Sequence, residues 1–273
     1  MKKLLYILLF SLCCILTSCS SVNDEDPEPE SGQRLAEIEI ALSTESEIYE
    51  FKYNSQGNLE SYKEQASSPS VHHKFFYKDN KLAGTNCLIY YGNTGQLLMT
   101  MDEEIIYHTS DTILVKIELD KDETDAATLI DTLIIDPTRG YLLKRHCSSI
   151  QFAGIDRNEI IRTYTYDNAG NMLTERKEGW GDDKGADYTY DSKFSPFSTL
   201  KGIPHWYWTY FDVCYPGNSI YSGTNNRINE TIYKSHTEDP YNFVNQYEYD
   251  NSKYSIKKSG AGVNTLKYTY EEY

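Results

Sequence analysis

The chain has 273 residues, of which 26 are lysine or arginine and 41 are aspartate or glutamate, so its formal charge is -15. Such an excess of carboxylates repels phosphates and excludes a nucleic-acid binder. A hydrophobic fraction of 39% is too low for a polytopic membrane protein. The 25 tyrosines favour half-buried sheet surfaces, so the composition predicts a folded and largely β protein.

The first eighteen residues have the pattern of an export signal. A basic start precedes an apolar run over residues 4–17, which is shorter than the roughly 20 apolar residues of a spanning helix. Leu16-Thr17-Ser18-Cys19 resembles the lipobox of bacterial lipoproteins, in which cleavage before the cysteine accompanies its acylation. Residues 1–18 are therefore predicted to be a lipoprotein signal peptide, and Cys19 to be lipidated and to hold the chain in a lipid bilayer. An ordinary secretory signal with an incidental cysteine is the alternative.

An acidic tether follows the cysteine. Residues 19–32 combine five carboxylates with two prolines and almost no apolar side chain, a composition that stays extended and solvated. The stretch also resembles the acidic export signal of surface lipoproteins in Bacteroidota-type bacteria. The predicted location is the outer membrane of the cell envelope, and surface display and a periplasm-facing anchor both stay open.

Three cysteines lie beyond the tether, namely Cys87, Cys147 and Cys214. They allow at most one internal disulfide and leave one thiol over, and no pairing follows from the sequence. The chain has no Cys-x-x-Cys pair beyond the signal, which argues against zinc and redox chemistry.

A repeated unit begins with tyrosine and continues through a glycine turn. Tyr53, Tyr91 and Tyr166 are each followed by glycine four residues later and by an apolar residue six residues later. A type I turn with glycine in the left-handed region closes a hairpin of this length, and period-two alternation resumes behind it. Residues 33–273 are therefore predicted to form a single all-β domain, with at most one short helix within residues 198–205.

The Tyr-Asp units resemble the YD repeats of Rhs and teneurin shells, and the pattern from Tyr188 onward resembles a group of Bacteroidota-type lipoproteins. The matching stretches are Tyr188-Thr189-Tyr190-Asp191-Ser192-Lys193, Pro196-Phe197, Asn225-Asn226-Arg227-Ile228 and Tyr247-Glu248-Tyr249-Asp250. The resemblance implies an antiparallel meander of hairpins curled into an open shell or half-barrel, and it brings no enzymatic activity. Glycine is missing after Tyr190 and Tyr249, so the number of repeats stays open.

Motifs for catalysis and for metal binding are weak. The six histidines lack metal-ligand spacing, and adjacent His72 and His73 on a strand would point to opposite faces, with surface positions favoured. Residues 120–131 imitate a calcium loop, but Asp125 stands where the loop needs glycine. We therefore expect no enzyme, no cofactor and no metal site, while a carboxylate pair brought together by folding stays open.

Two triplets, Asp111-Thr112-Ile113 and Asp131-Thr132-Leu133, resemble the acceptor of Bacteroidota-type protein O-glycosylation. Thr112 and Thr132 are therefore predicted modification sites. Ordinary β-strand composition explains the same triplets equally well.

The densest aromatic run covers residues 205–211. As an extended strand it would present Trp206, Trp208 and Tyr210 on one face, where flat rings stack against a sugar, and core packing is the alternative. Two functions follow. The first is a non-catalytic, membrane-anchored binding or adhesion module, for which glycans and peptides are both candidate ligands. The alternative is a structural envelope lipoprotein that contacts another protein without a small ligand.

Overall fold

The computed structural model of the chain describes residues 32–41, 46–65, 70–91, 94–119, 127–147, 150–152, 155–157, 160–178, 184–212, 223–233, 239–251, 254–260 and 263–273. The predicted signal peptide, Cys19, the tether before Gly32, Cys214 and the start of the calcium-like segment lie outside the described residues.

The described chain is almost entirely β structure. Its strands are β1 (Gln33–Ala41), β2 (Ser46–Tyr53), β3 (Leu59–Gln65), β4 (Ser70–Lys78), β5 (Lys81–Tyr90), β6 (Leu97–Tyr107), β7 (Thr112–Leu119), β8 (Ala127–Ile135), β9 (Leu142–Cys147), β10 (Ile150–Phe152), β11 (Ile155–Arg157), β12 (Ile160–Tyr166), β13 (Met172–Glu178), β14 (Lys184–Phe194), β15 (Asn225–Tyr233), β16 (Tyr241–Tyr249), β17 (Ser255–Gly260) and β18 (Val263–Glu272). A 3₁₀ helix (Pro196–Thr199) and an α-helix, α1 (His205–Asp212), follow β14.

Sixteen strands close into one antiparallel barrel. Neighbours in sequence pair throughout, except that β9 pairs with β12 while β10 and β11 form a separate two-stranded sheet. The ring closes between β1 and β18, with Gln33 opposite Glu272 and Ala41 opposite Thr265. The prediction of an all-β fold with at most one short helix is confirmed, although α1 covers His205–Asp212 rather than residues 198–205. The prediction of an open shell or half-barrel is wrong. Pairing β1 with β18 satisfies the two rows of backbone groups that an open sheet leaves unpaired at its edges.

The core of the protein lies inside the barrel. In β7, for example, the buried Ile113, Val115 and Ile117 alternate with partly exposed side chains, as period two requires. The alternating polar positions face outward, where Lys267 Nζ contacts Glu39 Oε2 at 2.9 Å. The period-two pattern of the sequence therefore gives a largely apolar inner wall and an outer wall on which charged side chains stand beside exposed apolar ones such as Phe76, Ile130 and Val244.

A row of tyrosines joins most of the two-strand units to the unit before them. Tyr77 donates its hydroxyl to the Leu59 carbonyl at 2.7 Å, and Tyr166 donates to the Leu142 carbonyl at 2.9 Å. Five further hydroxyls make the same kind of bond, from Tyr53 to Leu35, Tyr107 to Leu82, Tyr190 to Met172, Tyr247 to Arg227 and Tyr270 to Ser255. These seven tyrosines are called the tyrosine ladder below. They explain why a tyrosine starts the repeated unit.

The residue after the tyrosine closes the turn. Asp167 Oδ1 accepts the Asn171 N–H at 2.9 Å, the local bond that short acidic and amide side chains favour in turns. Gly57 and Gly170 take φ angles of 81° and 87°, in the left-handed region that was predicted for them. A side chain at Gly170 would in addition collide with the Tyr141 hydroxyl.

One of the matching units behaves differently. Tyr91 precedes the connection between β5 and β6, which lies at the opposite end of the barrel from the turns of Tyr53 and Tyr166. Gly95 still takes a left-handed φ of 66°, but the Tyr91 side chain is 44% exposed and is not part of the ladder. The same local motif therefore serves two ends of the barrel with different tertiary contacts.

Candidate functional site: the interior helix and its polar anchor

The aromatic run forms helix α1 rather than the strand that was predicted. The chain leaves β14, passes through the 3₁₀ helix, and begins α1 directly after Pro204, whose carbonyl accepts the Tyr207 N–H at 2.9 Å. Proline is tolerated at a helix start because the first N–H groups have no partner within the helix. The two ends of the connection between β14 and β15 lie close together, since the Ser195 N–H donates to the Thr224 carbonyl at 2.9 Å.

The side chains of α1 fill the barrel interior. Trp206, Trp208 and Tyr210 are 3%, 6% and 0% exposed. The Trp208 ring packs 6.3 Å from the ring of Phe75 on β4. Successive helical residues turn by about 100°, so the two tryptophans point to different sides of α1. The side-by-side shelf expected from a strand is therefore not formed, and the structure places all three side chains in the core.

Glu103 on β6 is the polar anchor of α1. Its carboxylate accepts hydroxyls from Tyr207 at 2.6 Å, Thr85 at 2.7 Å and Tyr210 at 3.2 Å. Burial raises the pKa of the Glu103 carboxyl, and the three hydroxyl bonds and the charge of Arg145 oppose that rise. Because a buried carboxylate without donors is very costly, these bonds bind α1 to the wall.

His73 on β4 completes this anchor. Its Nε2 lies 3.4 Å from the Tyr207 hydroxyl, in a fully buried position. Burial lowers the pKa of His73 to about 3, and the charge of His72 acts in the same direction, so the ring is neutral near pH 7. His72 is on the outer face, which confirms the prediction of opposite faces. The favoured surface position is wrong for His73.

A buried ion pair stands beside the anchor. Arg145 on β9 donates Nη2 and Nε to Asp131 Oδ2 at 2.5 and 2.9 Å. The guanidinium carbon of Arg145 lies 4.5 Å from the centre of the Tyr210 ring, so the pair also contacts α1. Each charge is neutralised by its partner, as a low-dielectric interior requires.

The predicted O-glycosylation residues lie on two adjacent strands. Thr112 begins β7 and donates its hydroxyl to Asp111 Oδ1 at 3.1 Å, while Thr132 lies opposite Leu114 within β8. Both threonines are partly exposed. Modification of either hydroxyl stays a prediction.

Cys87 is buried and Cys147 is half-buried, and the structure shows no disulfide between these two residues. No three or more histidine, cysteine or carboxylate side chains converge on a metal position in the part of the chain that the structure describes. Within the same ranges, no helix combines the length and apolar character needed to cross a membrane.

The side chains around Glu103 can exchange protons with one another, but they are buried away from solvent. A carboxyl, an imidazole and two phenols share hydrogen bonds in a packed space, so the arrangement fixes α1 rather than meeting a dissolved substrate. The sequence analysis missed Glu103, although Glu103 stands between Met101 and Ile105 at the inward positions of an alternating strand. A charge inside an apolar column was the available signal.

Comparisons with known proteins give a likeness of structure and none of sequence. No family model matches the chain, and no curated protein matches it either. The chain is similar to a solved structure described as a porin-like protein from Bacteroides vulgatus, with 10% sequence identity and a TM-score of 0.45. The match covers 88% of this chain and 99% of the other.

Proposed function

We propose that the chain is an outer-membrane lipoprotein, held by acyl chains on Cys19, whose filled barrel is a non-catalytic binding body outside the hydrocarbon layer. The observation that supports this proposal is the charged outer wall. Lys267 contacts Glu39 at 2.9 Å, and Lys257 contacts Glu248 at 2.5 Å, in each case between neighbouring strands.

A wall of this kind suits water rather than lipid. Barrels that cross a membrane carry an apolar outer band about 25 Å tall, where one lysine or arginine at the midplane costs roughly 2–4 kcal/mol. Here the outer wall carries ion pairs between neighbouring strands, which such a band does not tolerate, beside exposed apolar side chains such as Ile106, Ile130 and Val244. Membrane attachment therefore needs a separate anchor, and an acylated Cys19 supplies one, since two or more acyl chains hold a protein stably.

The packed interior favours binding at the outer wall and the rims. Helix α1 and the ring of Phe75 occupy the interior, and Glu103 fixes the helix there through the Tyr207 hydroxyl. A ligand reaching the interior would have to displace buried aromatic side chains, at several kcal/mol for each. The outer surface needs no such displacement.

Membrane fractionation tests the anchor. We expect Cys19→Ala to move the protein from the membrane pellet to the soluble fraction, because the acyl chains are lost. Cys14→Ala is the matched control, since Cys14 lies in the predicted signal peptide, and it should still sediment with membranes. A Cys19→Ala protein that resists release by alkaline carbonate contradicts the proposal.

A further inference from the structure

Three lysines form a compact cluster on the outer wall of β2, β3 and β4. Lys52 and Lys74 lie opposite Ser61 from its two sides, and Lys63 lies opposite His72 one row further along. Strands are about 4.8 Å apart and alternate residues nearly 7 Å apart, so the lysines stand within about 8–10 Å of one another. Lys52, Lys63, Lys74 and His72 are called the basic patch below.

The charges of the basic patch are unpaired. None of its three lysines makes an ion pair or side-chain hydrogen bond with any residue that the structure describes, whereas three lysines elsewhere on the outer wall do. These paired lysines are Lys116 with Glu118, Lys257 with Glu248 and Lys267 with Glu39. Ser61 alone separates Lys52 from Lys74, and Lys63 lies diagonal to both, so the three like charges repel one another where no anion is bound.

The charges of the three lysines affect the pKa of His72. Partial burial lowers the pKa of His72, and the charges of Lys74, Lys63 and Lys52 lower it further. The chain as a whole has a charge of -15, so the local surplus of positive charge runs against the composition. Glu50 lies opposite Lys63 on β2, so the three lysines adjoin one carboxylate. At physiological ionic strength the screening length is about 8 Å, so carboxylates further away than this act weakly on an anion in contact with the patch.

An exposed ring adjoins these charges. Phe76 is 52% exposed and follows Lys74 by two residues on the outer face of β4. Its cross-strand neighbour is Gly84, which has no side chain to cover the ring. Aromatic faces of this kind stack against the C–H surface of a sugar.

We propose that the basic patch and Phe76 bind an acidic polysaccharide, with carboxylates at the lysines and a sugar ring against Phe76. This inference rests on the proposed function, because it names the ligand class of the binding body. A protein partner is a poorer fit, since stable protein interfaces bury an apolar core of several side chains, and the patch adjoins a single exposed ring. A neutral glycan would leave the lysines unpaired.

Calorimetric titration of the full-length protein in detergent tests the proposal. The probes are polygalacturonate, alginate and hyaluronate, with dextran as the neutral polysaccharide and poly-glutamate as the acidic polypeptide. We expect salt-sensitive binding of at least one acidic polysaccharide and none of dextran. Replacing Lys52, Lys63 and Lys74 together by glutamine should weaken that binding at least tenfold.

Two further variants separate the roles of charge and ring. Lys116→Gln, Lys257→Gln and Lys267→Gln combined change the net charge equally, and this control should keep the affinity within about twofold of the unmodified protein. Phe76→Ala should weaken polysaccharide binding by about threefold to tenfold, the value of one stacked ring. The patch variant should melt at or above the temperature of the unmodified protein, because repulsion is removed.

Three outcomes overturn the inference. The first is a patch variant that binds the polysaccharide as tightly as the unmodified protein does. The second is the absence of salt-sensitive binding of all three acidic polysaccharides. The third is poly-glutamate binding that is as tight as polysaccharide binding and is unchanged by Phe76→Ala. Fractionation of Cys19→Ala involves no ligand, so failure of the membrane anchor and failure of the polysaccharide site are read separately.

Discussion

Two arginine–aspartate ion pairs with equal N–O distances lie on the inner and the outer wall of the barrel. Arg145 and Asp131 meet at 2.5 Å on the inner wall with side chains 8% and 5% exposed, and Arg176 and Asp187 meet at 2.5 Å on the outer wall with 46% and 40% exposed. Inside, neither charge can be hydrated if its partner is removed. Outside, water and salt ions replace the partner at little cost. Equal geometry therefore does not imply equal energy, and the outer wall can keep charges unpaired that the interior cannot.

Removing one acid from each pair gives the largest expected difference. Asp131→Ala should lower the free energy of unfolding by about 3–5 kcal/mol, because the Arg145 charge stays buried without its partner. Asp187→Ala should lower it by about 0–1 kcal/mol. Urea denaturation of both variants measures the two values, and similar losses would break the distinction between the walls.

The adjacent histidines sharpen the same comparison through pH. His73 has a folded pKa of about 3 against 6.5 when unfolded, so the unfolded chain binds the extra proton between these values. Stability from neutral His73 is thus complete above about pH 6.5 and falls with pH, by about 3 kcal/mol at pH 4. Denaturation against pH should show that fall in the unmodified protein and a weaker one in His73→Gln.

His72→Gln is the matched control for this pH experiment, because His72 lies partly exposed on the outer wall. Glu103 acts with the opposite sign, since its raised carboxyl pKa favours the folded state towards acid pH. Subtracting the free energy of unfolding of the unmodified protein from that of each variant, at each pH, removes the Glu103 contribution that all three proteins share. A steeper acid loss in His73→Gln than in the unmodified protein would contradict the assignment.

The tyrosine ladder gives the smallest expected effect. Tyr77→Phe and Tyr166→Phe should each lower the free energy of unfolding by about 1 kcal/mol, because the Leu59 and Leu142 carbonyls lose a donor. Tyr91→Phe removes an exposed hydroxyl outside the ladder and should change stability by less than about 0.5 kcal/mol. Equal values for the three variants would show that the ladder bonds add nothing.

The hairpins were predictable from sequence because their signals are local. Gly57 and Gly170 follow a tyrosine at fixed spacing, and a left-handed φ is a property of a few consecutive residues. Closure of the barrel was not predictable in this way. It depends on Gln33 meeting Glu272 across almost the whole chain, and period-two alternation is the same in an open sheet and in a closed one.

The interior site escaped prediction for a related reason. Aromatic residues favour strands on average, but burial inside the barrel makes a helix of the run at Trp206 and Trp208, because tertiary packing overrides a propensity difference of about 1 kcal/mol. Pro204 was a local sign of a helix start. The hydrogen bond from the Tyr207 hydroxyl to Glu103 could not be predicted, because it depends on the folded positions of residues that are remote in sequence.

The tyrosine ladder also bears on how such a chain can lengthen over evolution. Most units carry their own donor, such as Tyr77, and their own acceptor, such as the Leu82 carbonyl that receives Tyr107. A tandem duplication of one unit would copy the donor and the acceptor together, so the new neighbours would already match. It would also add two strands at once, which keeps the even number that an antiparallel ring needs in order to close. Barrels of different circumference are therefore reachable by single duplications that leave every hydroxyl with a carbonyl.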